Sequence, residues 1–208
     1  MATNNHAKWV RQVLAQGMNK RTCPNVGRIA VMLGGIPLGV GGWLAQSYGQ
    51  DLSQDLIPVR QALAKYQDPI VAVRDGYFST VECVEYPTGG MGIHFLNPAH
   101  IGLLPDPMRP QILVYEPVGD KLVLVAAEWF IPLATGVQEH PVLFGQRFDG
   151  PMEGHEPLLP AALHHYDLHV WLFKPNPAGI FNAVNPHVKC PKTGYTFMEH
   201  PPKSVPHQ

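Results

Sequence analysis

The chain has 208 residues, of which 45% are hydrophobic and 15% charged, and a formal net charge of −1. That is enough apolar material for a packed core, and the charge balance excludes a nucleic-acid-binding surface. The balance is uneven: residues 1–47 carry Lys8, Arg11, Lys20, Arg21 and Arg28 but no acid, so the other 10 bases face all 16 acids and residues 48–208 stand near −6.

Residues 29–45 are uncharged and largely apolar. A basic flank, an apolar stretch and then Ala45-Gln46-Ser47 predict a signal peptide cleaved after Ser47 or an uncleaved anchor, hence an exported protein that meets a membrane only through this leader. The competing reading is a glycine-rich buried segment of a cytosolic domain. Residues 48–208 are the right length for one domain, with an irregular His/Pro-rich tail from about 192.

Over 53–74 the residues Leu56, Val59, Leu63, Tyr66, Ile70 and Val73 recur at alternating steps of three and four, which predicts one helix with a single apolar stripe. Pro69 should kink or end it. Beyond Asp75-Gly76 the pattern becomes short β-like runs, at 78–84, 91–96, 111–116, 121–131 and 165–173. The third and fourth form a hairpin around Val118-Gly119-Asp120. Long Pro- and Gly-containing loops are expected at 97–110 and 136–163. The fold class is therefore α+β, an N-terminal helix packed on a mainly antiparallel sheet expected to curl toward a small barrel.

Cys83 and Cys190 are the only cysteines after the leader. In an exported domain they pair most simply as a disulfide, while two buried thiols or a Cys-His metal pair are the alternatives.

Chemistry concentrates on three strands. Glu128 interrupts a ten-residue apolar run, where an unpaired carboxylate would cost several kcal/mol to bury. His94 lies in Gly90-Met91-Gly92-Ile93-His94-Phe95, with Met91, Ile93 and Phe95 expected to point away from it. In His165-Tyr166-Asp167-Leu168-His169-Val170-Trp171, alternation puts Tyr166, Leu168 and Val170 on one face and His165, Asp167, His169 and Trp171 on the other. His94, Glu128 and His169 thus form a candidate set for zinc, iron(II) or manganese. His165 or Asp167 would act as a fourth ligand or as the hydrogen-bond partner that orients an imidazole. Asn97, Arg147 and Asn176 are candidate rim residues of a pocket, against the simpler reading that their loops only make turns. Motifs of the HExxH, CxxC, GxSxG and phosphate-loop kinds are missing, so the common hydrolase, zinc-ribbon and nucleotide chemistries lose their usual support.

The runs Gly89-Gly90-Met91-Gly92-Ile93-His94-Phe95-Leu96-Asn97-Pro98 and Tyr166-Asp167-Leu168-His169-Val170-Trp171-Leu172, continued through Asn176-Pro177-Ala178-Gly179-Ile180-Phe181, resemble a family of exported bacterial proteins with no assigned activity. The resemblance spans about 56–191 and implies export, a shared fold and paired cysteines at Cys83 and Cys190. The long leader without a lipobox cysteine, Pro69 and the His-rich tail depart from the family pattern. Two functions follow as expectations: an exported domain holding one divalent metal through His94, Glu128 and His169, or a non-catalytic exported domain that binds a small molecule or a partner and whose histidines are structural.

Overall fold

The structure, a computed structural model, describes residues 52–155, 159–192, 196–198 and 202–207. The chain divides between Ala45 and Gln46, and all described residues belong to the second unit. The expected leader at 1–47, with its cleavage or anchoring, lies outside them. Among the described residues no helix is long and apolar enough to cross a membrane.

The 53–74 segment forms two helices instead of one. α1 (Leu56–Leu63) tightens into a 3-10 turn (Ala64–Gln67), and α2 begins at Pro69 and runs to Arg74. Proline lacks the N–H that would continue the helix and pushes the residue before it out of helical geometry. Asp68 is accordingly extended, and its carboxylate accepts a 3.0 Å bond from the Ile70 N–H to cap the new helix. Leu56, Val59, Leu63 and Tyr66 are buried as the stripe predicts. The break rotates the rest, so that Ala72 turns inward while Ile70 and Val73 are 59% and 56% exposed.

Among the described residues, seven strands follow in one sheet. They are β1 (Phe78–Tyr86), β2 (Gly89–Leu96), β3 (Ile112–Val118), β4 (Lys121–Pro132), β7 (Asp149–Met152), β8 (His165–Val170) and β9 (Thr196–Met198), and the spatial order is β7-β8-β4-β3-β2-β1-β9. Every pairing is antiparallel except β1 with β9. β5 (Val142–Leu143) and β6 (Gln146–Arg147) make a separate small hairpin inside the loop expected at 136–163. The fold is α+β, but the expected barrel is not found: β7 and β9 lie at opposite edges of an open sheet. The tail expected to be irregular contributes β9 and a bridge from Ser204 to Met152.

Both faces of this sheet are buried. On the first, the helices pack against Leu113, Tyr115, Trp129, Ile131, Tyr166 and Leu168, and the Tyr115 hydroxyl donates to the Tyr66 carbonyl at 2.8 Å. On the second lie Ile112, Val114, Phe130 and Trp171 together with Val188. Residues 174–190 cross over this second face. Trp171 Nε1 donates to the Asn182 carbonyl at 2.6 Å, and the Gly90 N–H lies 3.1 Å from the carbonyls of both Asn185 and Val188. The chain passes so near that a Cβ on Gly90 would lie 2.8 Å from the Val188 oxygen. Cys83 and Cys190 form a disulfide that fastens the end of this crossing to β1.

Candidate metal centre

Register brings three strands to one place on the second face. Glu128 on β4 is directly opposite His169 on β8. His94 reaches the same point from β2, across β3, with Val114 as its register partner there. All three side chains are buried, at 8%, 4% and 1% exposure for His94, Glu128 and His169. Glu128 Oε2 lies 3.2 Å from His169 Nε2 and 3.4 Å from His94 Nε2, and the three donor atoms fall within 4.8 Å of one another.

These contacts are close without being hydrogen bonds. Glu128 Oε2, both ring nitrogens of His169 and Nδ1 of His94 have no hydrogen-bond partner. Buried polar atoms are nearly always paired, so four unpaired atoms in one cluster call for an explanation. A metal ion at the meeting point would account for two of them, Glu128 Oε2 and His169 Nε2, since each imidazole offers one ion a single ring nitrogen. Zinc bonds to nitrogen and oxygen of about 2.0–2.1 Å in a tetrahedral shell put neighbouring ligand atoms roughly 3.3 Å apart, the spacing seen on both sides of Glu128 Oε2.

Electrostatics keeps the metal-free cluster charged. Burial alone would favour the neutral carboxyl, but the His169 and His94 imidazoles outweigh it and hold Glu128 well below the ordinary carboxylate range. Burial likewise works against charge on His169, and the Glu128 carboxylate overcomes it to push the imidazole up to about 9. Without a metal the pair is a buried glutamate–imidazolium. A bound ion would displace that proton, because a ligating imidazole must be neutral.

His94 and Glu128 border a cavity of about 50 Å³ walled by Val84, Met91, Leu96, Ile112, Phe130 and Leu159, room for an ion's water shell and little else. It adjoins a groove of about 400 Å³ that it meets at Met91, His155 and Asp167. Met91 was expected to point away from His94 but shares its cavity. Gly92 takes a left-handed φ of +113°, and the β1–β2 register shifts beside it, which reverses the alternation upstream of the bulge.

His165 and Asp167 share the face of His169, as alternation predicts, but do not orient it. Its Nδ1 has no partner, whereas Asp167 Oδ2 lies 3.7 Å from His165 Nε2. The three candidate rim residues serve elsewhere. Asn97 accepts from the Ala99 N–H and donates to the Asp75 carbonyl, tying β2 to the end of α2. Asn176 accepts from the Ala178 N–H and donates to the Val184 carbonyl within the covering segment. Arg147 is exposed on the β5–β6 hairpin. His155, which no sequence pattern marks, packs with its ring 5.2 Å from that of His165 at a tilt of 48°. It sits in a loop with no periodicity to mark its direction.

Comparison of the chain with protein-family models, curated proteins and solved structures found no significant match.

Proposed function

We propose that this is an exported metal-binding domain in which His94, Glu128 and His169 hold one divalent ion, with zinc, iron(II) and manganese the candidates for two imidazoles and a carboxylate. The observation that carries the reading is the convergence of three buried donors from three strands on one point, with Glu128 Oε2 and His169 Nε2 there left without hydrogen bonds. The disulfide supports an oxidising, exported setting, as does the resemblance to exported bacterial proteins. An ion bound there would lower the pKa of a coordinated water or polarise an oxygen of a small ligand. The protein's own part is to hold the imidazoles with a buried carboxylate, exclude bulk solvent, and set the cavity beside a groove large enough for a small molecule.

Metal analysis of the purified full chain tests this. Loss of one equivalent of bound metal in His94→Ala and in His169→Ala, with the fold retained by circular dichroism, is the expected result. A protein that takes up no divalent ion after chelation and dialysis against zinc, iron(II) or manganese would overturn the proposal and favour structural histidines beside a small-molecule groove.

A further inference from the structure

The second face carries another group of donors that the site above does not use. We propose that His155, His165 and Asp167 form a second divalent-cation site, placed where the inner cavity meets the outer groove. Their ligand atoms lie within 4.8 Å of one another, as do those of the first trio, and the donor set is again two imidazoles and one carboxylate.

Three further observations support it. His165 is 1% exposed and fixed: its Nδ1 lies 3.0 Å from the Leu163 carbonyl and its ring packs 4.6 Å from Phe130. If Nδ1 carries the hydrogen donated to that carbonyl, Nε2 presents a lone pair on the Asp167 side, the arrangement in which a backbone acceptor sets the tautomer of a metal-binding histidine. Asp167 is 3% exposed, and among the described residues its only ion-pair partner within 4.0 Å is His165. A buried carboxylate so placed needs positive charge nearby, since an uncompensated one costs several kcal/mol.

Position separates this site from the first. Asp167 and His169 are two residues apart on one face of β8, a step of roughly 7 Å along the strand. His155 and Asp167 border the 50 Å³ cavity and the 400 Å³ groove alike, whereas His94 and Glu128 border only the inner one of these two. Asp149, the exposed partner of Asp167 in the β7–β8 register, stands on the groove side and adds negative charge at the entrance. An ion here is the one that a ligand entering from the groove would meet first.

Zinc counting by equilibrium dialysis of the full chain tests the inference, with thermal melting as the check on folding. The native protein should bind two zinc ions, His155→Ala and Asp167→Asn one each, and His169→Ala one. His155 is on a loop and Asp167→Asn nearly preserves shape, so neither variant needs to unfold. One zinc lost in His169→Ala but kept in His155→Ala would overturn this second site and leave the first standing. One zinc lost in His155→Ala but kept in His169→Ala would do the reverse. A single zinc lost in all three variants would mean one shared ion and would also overturn the second site.

Discussion

Glu128 determines what the second face of the sheet can do. At 4% exposure it has no lysine or arginine within ion-pair distance among the described residues, only His94 and His169. Imidazole is the side chain that exchanges a proton for a metal near neutral pH, so a bound ion would displace the proton that the metal-free pair carries. The metal-free state has a signature. The His169 pKa rises from 6.5 to about 9 on folding, so its contribution to stability is complete below pH 6.5 and is lost as pH climbs through 9. The chelated protein should therefore melt at progressively lower temperature between pH 7 and pH 9.5, whereas the zinc-loaded protein should hold its melting temperature over that window. Parallel falls in both would show that the ion does not replace this proton.

The first trio was legible one residue at a time, because an acid inside an apolar strand and histidines out of step with apolar neighbours are anomalies of local pattern. Asn97 and Asn176 were misplaced for the opposite reason. An asparagine that starts a turn by bonding the N–H two residues on looks the same in sequence as one that borders a pocket. His155 had no pattern around it at all.

Among the elements, β2 contributes most to the site and departs furthest from simple alternation. β1, β2, β3, β4 and β8 follow from period-two patterns and lie close to their expected spans, whereas β5, β6, β7 and β9 fall in segments expected to be irregular, and the helix divided where Pro69 dictated. What alternation could not show was the bulge. Gly92 combines a left-handed φ with a close approach to the Tyr115 carbonyl, to which a Cβ would come within 2.5 Å. Because that neighbour is backbone, it cannot swing aside. Gly92→Ala should then cost at least the 1–3 kcal/mol typical of a strained backbone position, read as a lower urea midpoint. It should also weaken metal binding, because the bulge sets which way His94 points two residues on. Full stability and full metal binding in this variant would mean that β2 can lose the bulge freely, and that Met91 could return to the face alternation assigns it.

Over the whole molecule, the open sheet needs a cover on each side, and the two covers differ in kind. The first face is closed by helices, whose apolar stripe pays for its own ordering. The second is closed by residues 174–190, which contain no helix or named strand and depend on single contacts such as Trp171 to Asn182 and Gly90 to Val188. Such a segment buries little for its length, and the disulfide is placed to compensate: Cys83 and Cys190 are 107 residues apart, for which loop-closure entropy gives roughly 4–5 kcal/mol. Removing the link with Cys83→Ser and Cys190→Ser together should lower the unfolding free energy by about 2–5 kcal/mol in urea titrations. It should loosen the cover before the sheet, because β2, β3, β4 and β8 keep their ladders without it. Amide exchange should therefore rise first at Asn185 and Val188, and zinc should dissociate faster while the strand amides of β3 and β4 stay protected. Uniform loss of protection across sheet and cover would show that the disulfide holds the domain as one unit and that the metal face has no separate door.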